Sequence, residues 1–518
     1  MEELVLTFDI GTQSMRGMIV NKHGEIVCFE KEVYEEPYYS MNKDWAEKDP
    51  NFYYEVLCRI AKAIKKKNPK AFDNILAVTT TTFRDSTICL DENCKPLRDM
   101  ILWLDKREID EDEVPLPKLN KFLYTIAGVK DMVNTQHKQS ICNYIKSREP
   151  EVWQKTYKYV VLSTYMNYKL TGNLIDSGAN QIAHIPFDYK KGTWANKYNL
   201  TKPVYDVEEE KLCDLCKAGD NIGSITSQVS KDSGIKEGTP VIVTGSDKGC
   251  ETIGLSVTSK SKAAISYGTS ATIQFTTDTY FEPQAFCPSY PSPIGGLYNP
   301  EYQIYRGFWM LSWFKKIFVN EEEEKEAKKQ NMSIEDYFNS HLKEVPAGCD
   351  GLIIQPHWGP GVANPNAKGS MIGFSDVQNK YYIYRAIIEG IIFDLKYGLN
   401  TMSKRGKQNI KEIFVGGGAS VSNEICQITA DILGLPVKRI QTNEACGLGS
   451  SIVAFLSLGI YKDLDEAIIN MIKTKDIFMP DLGANAYYNM LYDDVYSKMS
   501  KKLVPLYVST KNIVKGSK

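Results

Sequence analysis

The sequence predicts an α/β protein built from two related lobes. Short apolar runs that end in polar turns alternate with helical patterns, which is typical of α/β layer architectures. A Gly-Thr turn follows an apolar run at Gly11-Thr12 and again at Gly268-Thr269, about half a chain later. This weak internal repeat predicts two lobes that face a central cleft, with a boundary near residues 245–260. The length of 518 residues agrees, because it exceeds what one compact core needs.

The first lobe opens with a predicted β-meander. Apolar runs at 4–8, 18–20 and 26–29 are separated by the first Gly-Thr turn and by His23-Gly24. A helical pattern then runs from Asp49-Pro50 to the lysines at 65–67. Proline near its start and cations at its end suit the two helix termini. A further strand is predicted at 75–79.

The second half repeats this pattern of strands and turns. Strands are predicted at 241–243, 263–266 and 271–275, the last two flanking the second Gly-Thr turn. A strand at 414–416 enters the triple-glycine turn Gly416-Gly417-Gly418, and a helix is predicted at 423–433. The hydrophilic segment 320–331 predicts a solvated helix of the second lobe.

Composition limits the classes of partner. The net charge of -2 gives no electrostatic reason to expect nucleic acid or an anionic membrane. The N-terminal residues lack the pattern of a signal peptide, and no long apolar window predicts a membrane span, so we expect a cytoplasmic protein. Among 12 cysteines, Cys213 and Cys216 form one CxxC without a second pair. Core packing is therefore favoured over zinc or redox use, although the role of this pair stays open.

The Gly-Thr turns are candidate phosphate loops. Glycine lets backbone N–H groups approach a phosphate closely, and hydroxyl groups add donors. Arg16 offers a charge-assisted contact to a transferred phosphoryl group, and Asp9 offers oxygen atoms to Mg²⁺. The alternative for either turn alone is an ordinary turn with an Asx interaction.

Other residues suit a sugar and a nucleotide. Asp247 follows a strand and could accept the proton of a sugar hydroxyl, although such a pattern also occurs in simple turns. Arg84-Asp85 and the segment Trp103 to Arg107 combine polar groups with an aromatic face, as a sugar site requires; a surface ion-pair cluster is the alternative. The triple-glycine turn could admit a ligand beside a helix N-terminus, or it could simply connect helix and sheet tightly.

The motifs occur in an order that resembles that of a known family. The chain closely resembles the FGGY carbohydrate kinases over roughly residues 4 to 470, in motifs that occur in this sequence: Asp9-Ile10-Gly11-Thr12-Gln13-Ser14-Met15-Arg16, Trp45 to Pro50, Ile101 to Arg107, Leu170-Thr171-Gly172, Gly245-Ser246-Asp247, Tyr267-Gly268-Thr269-Ser270, Arg385 to Gly390, Gly416 to Ala419 and Glu444 to Gly449. The resemblance implies two actin-like (ribonuclease-H-like) lobes around a cleft that holds ATP, Mg²⁺ and a small sugar or polyol.

The resemblance also implies residue roles. Residues 1–252 would form a mainly sugar-binding lobe with the first phosphate loop, and 253–518 a mainly nucleotide-binding lobe with a C-terminal helical extension. Asp247 resembles the catalytic base. The remaining roles are nucleotide and phosphate binding by Gly11, Thr12, Gln13, Arg16, Gly268, Thr269, Gly417, Gly418 and Asn423; acceptor binding by Arg84, Asp85, Trp103, Asp105 and Asp247; and metal binding by Asp9 and Asp247.

The motifs are compatible with more than one acceptor. The Trp103–Asp105–Arg107 spacing favours a xylulokinase-like pentulose kinase, whereas Arg84-Asp85 is more like a glycerol kinase or an autoinducer-2 kinase. Thr164, Ile141 and Tyr382 depart from the residues usual in the family. An alternative from another class is a catalytically lapsed actin-fold sensor of sugar or nucleotide. The presence of Asp247 argues against this alternative, because a lapsed kinase would be expected to lose it. Whether the protein forms a homodimer is left open by the sequence.

Overall fold

The computed structural model of the protein describes residues 2–359 and 366–516, and these form two compact units. The first unit comprises Met1–Ser256, Asp278–Asn299 and Ala445–Lys473, and the second comprises Val257–Thr277, Pro300–Glu444 and Thr474–Lys518. A single division at 252/253 does not separate the units completely, because the segments 278–299 and 445–473 pack with the first unit. The functional division between the two halves stays a prediction.

A six-stranded mixed sheet forms the centre of the first unit. Its strands are β1 Leu4–Ile10, β2 Ser14–Asn21, β3 Ile26–Val33, β4 Ile75–Thr82, β5 Asn221–Ser224 and β6 Pro240–Val243. They lie in the order β3-β2-β1-β4-β6-β5. The pairs β3/β2, β2/β1 and β6/β5 are antiparallel, whereas β1/β4 and β4/β6 are parallel.

The second unit contains a sheet of the same design. Its strands are β7 Lys262–Tyr267, β8 Ala271–Phe275, β9 Glu301–Ile304, β10 Glu412–Gly416, β11 Val437–Ile440 and β12 Thr474–Phe478. The order β9-β8-β7-β10-β11-β12 has antiparallel pairs β9/β8, β8/β7 and β11/β12 and parallel pairs β7/β10 and β10/β11. Both sheets therefore share the order of their first four strands and the whole pattern of strand directions, which confirms the internal repeat. They differ at one edge, where the fifth and sixth strands of the first sheet lie in the opposite order to those of the second.

Six helices of the two units are labelled in chain order. They are α1 Asn51–Lys67, α2 Leu162–Thr171, α3 Asp247–Gly254, α4 Lys380–Gly406, α5 Asn423–Leu433 and α6 Ala445–Ser457. In α1 the apolar residues recur at helical spacing and are buried, among them Val56, Ile60 and Ile64, while three lysines occupy its last turn. These apolar residues join the buried face of the first sheet in one core.

The other elements are divided between the two units. The remaining helices are Pro69–Asp73, Lys118–Ile126, Lys130–Lys138, Ile141–Arg148, Pro150–Lys155, Ser227–Ser233, Trp309–Phe318, Glu321–Lys329, Ile334–Ser340, Leu464–Met471, Leu482–Leu491 and Ser497–Gly516. A four-stranded sheet of the first unit consists of Glu47–Lys48, Met100–Ile101, Thr87–Leu90 and Lys158–Val161. Further short strands are Ile175–Ser177, Phe187–Asp188, Thr193–Trp194, Asp214–Cys216, Tyr290–Pro291, Tyr298–Asn299, Ile353–Gln355 and Ser370–Ile372.

The helix Glu321–Lys329 begins with a capping box between Asn320 and Glu323, and most of its side chains are exposed, as the hydrophilic segment predicts. Within residues 2–359 and 366–516, no helix is both long and apolar enough to cross a membrane.

Candidate active site

The first Gly-Thr turn, residues 11–13, joins β1 to β2. The Gly11 N–H donates to the Ser14 carbonyl oxygen at 3.0 Å, and a Cβ on Gly11 would lie 3.0 Å from the same oxygen. A side chain at this position would therefore crowd the turn. The Thr12 hydroxyl oxygen accepts a hydrogen bond from the Trp103 indole N–H at 3.0 Å. The predicted phosphate loop and the predicted sugar-binding aromatic ring are thus directly linked.

Asp9 and Arg16 face each other across the β1–β2 hairpin that carries this turn. They are cross-strand partners, and Arg16 Nη1 lies 3.4 Å from Asp9 Oδ2. Asp9 is largely buried, whereas Arg16 is partly exposed. The base of the turn consequently carries charges of both signs.

Asp247 is the first residue of α3, next to the N-cap residue Ser246. Its Oδ1 atom accepts a hydrogen bond from the Lys248 N–H at 2.8 Å and lies 3.9 Å from Arg84 Nε. Burial raises the pKa of the Asp247 carboxyl group, and the charges of Arg84 and Lys248 oppose this rise. About a quarter of the side chain, 26%, remains exposed. A carboxylate with a raised pKa is suited to accept a proton near neutral pH.

Arg84 and Asp85 follow β4 in a tight turn. The Arg84 guanidinium lies 5.2 Å from the centre of the Tyr290 ring. Asp85 has a left-handed backbone with φ +56°, and its N–H donates to the Ile182 carbonyl oxygen. Asp85 Oδ1 accepts a hydrogen bond from the His184 N–H at 2.8 Å and lies 3.0 Å from His184 Nδ1. Of these two predicted acceptor residues, Arg84 thus faces Asp247 and Asp85 faces His184.

Asp105 is placed differently from Trp103. Its side chain is 3% exposed and accepts hydrogen bonds from the Ala46 N–H and from three N–H groups of Arg107, at 2.6–2.8 Å. Arg107 also lies 3.8 Å from the Trp45 ring centre. The sequence suggests that Asp105 contacts the acceptor directly. Because these hydrogen bonds occupy its carboxylate, such a contact would require breaking them. The placement agrees better with a positioning role.

Three polar residues beside Asp247 were missed by the sequence analysis. Lys248 Nζ lies 2.8 Å from Glu251 Oε2 one turn along α3. Burial raises the pKa of the Cys446 thiol. The charges of Asp9, Glu251 and Asp247 raise this pKa further, whereas the charge of Lys248 lowers it. Cys446 in α6 is therefore within electrostatic range of both predicted metal ligands. Lys248 directly follows the motif Gly245-Ser246-Asp247, and Cys446 lies within the motif Glu444 to Gly449. Their positions relative to these motifs were the signal that could have identified them.

The second Gly-Thr turn, residues 268–270 of the second unit, joins β7 to β8. A Cβ on Gly268 would lie 3.1 Å from the Ser270 carbonyl oxygen, which closely matches the crowding at the first turn. The carbonyl oxygens of Gly268 and Thr269 accept hydrogen bonds from the N–H groups of Phe308 and Trp309, at the start of a helix. The two predicted phosphate loops are therefore equivalent hairpin turns of repeated sheets.

The triple-glycine turn follows β10. Gly417 has φ +85°, and a Cβ there would lie 2.8 Å from the Tyr267 carbonyl oxygen, so a side chain would be strained. A Cβ on Gly418 would meet no atom within 4 Å. Asn423, the first residue of α5, accepts a hydrogen bond from Arg439 Nη2 at 2.8 Å. The turn therefore leaves open space at Gly418 beside a helix N-terminus.

The donors available for a metal ion are few. Over residues 2–359 and 366–516, no group of three or more His, Cys, Asp or Glu side chains has the arrangement of a metal site. Cys213 and Cys216 are free thiols, and Cys213 is buried next to Thr164. The carboxylates of Asp9 and Asp247 are hard oxygen donors, and Mg²⁺ commonly uses only one or two carboxylates together with phosphate oxygens and water. The donor set therefore fits Mg²⁺ that arrives with a nucleotide.

Comparison with known proteins defines the class. Gluconate kinase and xylulose kinase from Lactobacillus acidophilus superpose with TM-scores of 0.82 and 0.81, at 21% identity in each case. Each superposition covers 98% of this chain and 100% of the other. These superpositions and the two repeated mixed sheets, each with a glycine turn after its first strand, define the actin-like α/β class, which confirms the predicted fold.

Family models then identify the group within this class. The N-terminal domain model of the FGGY family of carbohydrate kinases matches residues 4–254, and the C-terminal domain model matches 263–458. The chain belongs to the FGGY family of carbohydrate kinases. It is therefore a phosphotransferase that uses a hydroxyl group as acceptor.

The curated relatives are distant but similar over their full length. An uncharacterized sugar kinase of Escherichia coli K12, YgcE, is 26% identical over 501 residues, which cover 96% of this chain and 94% of the relative. A xylulose kinase of Staphylococcus epidermidis is 24% identical over 514 residues and 97% of both chains. Gluconokinase of Bacillus subtilis is 23% identical, covering all of this chain and 97% of the relative.

Proposed function

We propose that this protein transfers the γ-phosphate of ATP to a hydroxyl group of a small, open-chain sugar or polyol, with a pentulose such as xylulose as the favoured acceptor. The observation that carries the proposal is Asp247, a partly exposed carboxylate with a raised pKa beside Arg84. Relatives named xylulose kinase support the choice of acceptor, as does the Trp103–Asp105–Arg107 spacing.

Asp247 would act as the general base. As the acceptor oxygen bonds to the γ-phosphorus, Asp247 takes the hydroxyl proton, and the bond from phosphorus to the β,γ-bridging oxygen breaks to release ADP. Mg²⁺ held by Asp9 and Asp247 with phosphate oxygens would neutralise negative charge on the transferred group. Arg84 would orient the acceptor beside the base, and Trp103 would offer its ring to the C–H face of the sugar.

The remaining groups would bind phosphate and nucleotide. Backbone N–H groups at the two Gly-Thr turns and the Arg16 guanidinium are suited to phosphate oxygens. The open space at Gly418 would admit part of the nucleotide beside α5. Gly11, Thr12, Gln13, Gly268, Thr269, Gly417 and Asn423 are assigned to these loops, and Asp105 is assigned to positioning rather than contact.

The test is an ADP-release assay with ATP, Mg²⁺ and a panel of acceptors that contains D-xylulose, glycerol and D-gluconate. We expect the highest kcat/KM with a pentulose. Asp247→Asn should lower kcat by about 10²–10⁴-fold while acceptor binding, measured by calorimetry, persists. Asp73→Asn, a change at an exposed carboxylate, serves as the control. An unchanged kcat in Asp247→Asn would show that Asp247 is not the general base. If no acceptor stimulates ADP release by the wild type, the proposed function is wrong.

Glycerol is in the panel for a specific reason. Arg84-Asp85 resembles the pair found in glycerol kinases, and Arg84 faces Asp247 at 3.9 Å. A kcat/KM for glycerol above that for every sugar would make the protein a polyol kinase with the same catalytic base.

A further inference from the structure

His184 is the one imidazole of the described chain that lies against a predicted acceptor residue. Its backbone N–H and its Nδ1 atom both approach Oδ1 of Asp85, at 2.8 and 3.0 Å. The Asp85 backbone is held in turn by its hydrogen bond to Ile182. Two hydrogen bonds from backbone N–H groups therefore hold His184 beside Asp85, with the imidazole at ion-pair distance from the carboxylate.

The surroundings place this pair next to the catalytic carboxylate. Asp85 directly follows Arg84, whose guanidinium lies 3.9 Å from Asp247 and stacks over Tyr290. The ring of Tyr189 lies 5.5 Å from that of Tyr290, and both Arg84 and Asp85 affect the Tyr189 pKa. The Asp85–His184 pair and the Arg84–Asp247 pair consequently border one aromatic-lined region of the first unit.

The His184 ring is supported on one side and open on another. It packs edge-on against Tyr205, with 5.5 Å between ring centres, and 25% of the side chain is exposed. The preceding loop is anchored because Asn180 and Gln181 donate to the buried carboxylate of Asp176 at 2.7 and 3.0 Å. The ring is therefore pre-organised without being enclosed, which is what a recognition group requires.

We propose that His184, oriented by Asp85, contacts a hydroxyl group of the acceptor through Nε2 and determines which acceptors bind. The inference rests on the proposed function, because it assigns a specificity-determining residue to the same site. The sequence motifs do not indicate this role, because Ala183-His184-Ile185 lies outside the motifs that the chain shares with the FGGY kinases.

The pair predicts a pH dependence of acceptor binding. Burial lowers the pKa of His184, but the facing carboxylate of Asp85 outweighs burial and raises it. The ring of Tyr205 also packs against the imidazole, and burial raises the pKa of Tyr205, so that Tyr205 is neutral near pH 7 and Asp85 supplies the charge beside the ring. Because Nδ1 lies within ion-pair distance of the Asp85 carboxylate, the neutral ring is expected to keep its proton on Nδ1. Nε2 then donates when the ring is protonated and accepts when it is neutral. Charge-assisted hydrogen bonds are the stronger, so acceptor KM should rise as the ring loses its proton.

The experiment measures kcat and KM for the best acceptor between pH 5.5 and 8.5. In the wild type we expect KM to rise about fivefold through one ionisation. His184→Phe should raise KM about tenfold with kcat within about threefold, because it removes the polar atoms and keeps the ring against Tyr205. His184→Gln should remove the pH dependence of KM. Asp85→Asn should shift the ionisation to lower pH, since His184 then lacks its carboxylate partner.

Controls separate the outcomes. His23→Gln changes an exposed imidazole in the turn between β2 and β3, and it should leave KM and its pH dependence unchanged. Thermal unfolding of each variant tests for folding, and His184→Gln keeps the test valid if His184→Phe is unstable. If the wild type turns over the acceptor and both His184 variants keep the wild-type KM, the inference about His184 is wrong while the proposed function stands. Absence of acceptor-stimulated turnover in the wild type would instead reject the proposed function.

Discussion

Asp176 is a buried carboxylate that organises the loop leading to His184. It lies in the strand Ile175–Ser177, is fully buried, and burial raises the pKa of its carboxyl group. It accepts hydrogen bonds from the side chains of Ser163, Thr164, Asn167, Asn180 and Gln181 and from the Ser177 N–H. The donors around one acceptor compensate its desolvation and join α2 to the loop.

Replacing Asp176 should therefore be costly. Asp176→Ala leaves several buried donors without an acceptor, and we expect a loss of about 3–5 kcal/mol in the free energy of unfolding. Asp176→Asn keeps one acceptor oxygen and should lose less. Urea unfolding of both variants measures the difference, and a loss below about 1 kcal/mol in Asp176→Ala would contradict the organising role.

Motifs in the sequence predict positions of single residues better than their contacts. Asp247 and Asp9 were named because each follows or ends a strand next to a glycine turn, and local pattern determines that placement. Asp105 was assigned to the acceptor although its carboxylate binds Arg107 and Ala46. His184 escaped prediction, because it meets Asp85 only through a tertiary contact between residues 99 apart in sequence.

At the scale of elements, the packing of α3 against α6 depends on two glycines. A Cβ on Gly254 would lie 2.0 Å from the Ala445 carbonyl oxygen, and one on Gly449 would lie 1.9 Å from the Cys250 carbonyl oxygen. The two helix backbones are thus in direct contact. This close approach holds the helix that begins with Asp247 against the helix that carries Cys446.

Gly449→Ala should separate these helices. Because the neighbouring atoms are backbone and cannot move aside cheaply, we expect a loss of about 2–4 kcal/mol in stability and a lower kcat, as Asp247 shifts with α3. Gly295→Ala is the matched control, since a Cβ there meets no atom within 4 Å. Thermal unfolding and ADP release measure both effects. Equal behaviour of the two variants would show that the helix contact is not required.

The sequence predicts elements well where their pattern is local. The hairpins around both Gly-Thr turns, helix α1 and helix α5 follow from alternation, helical periodicity and turn residues. The assignment of segments 278–299 and 445–473 to the first unit could not be predicted. Those segments return to the first unit through packing between distant parts of the chain, as in the hydrogen bond between Thr7 and Ser451.

At the scale of the molecule, two sheets of one design carry different residues in equivalent places. The turn after β1 is followed by Arg16, which pairs with Asp9, whereas the equivalent strand in the second unit, β7, contains no acidic residue. The carboxylates proposed for chemistry, Asp9 and Asp247, thus belong to the first unit, and the triple-glycine turn belongs to the second. A repeated scaffold with unequal side chains would allow one copy to bind the acceptor and the other the nucleotide.

This division predicts that substitutions in the two units affect different kinetic constants. Gly418→Ala adds a methyl group to open space in the second unit, so it should raise KM for ATP without lowering the unfolding temperature. Gly417→Ala should lower both ATP affinity and stability, because its left-handed backbone and the Tyr267 carbonyl oxygen disfavour a side chain.

Arg84→Ala in the first unit should raise acceptor KM about tenfold or more, with little change in KM for ATP. Steady-state kinetics with each substrate varied in turn measures all three, and a rise in acceptor KM alone for Gly418→Ala would contradict the division.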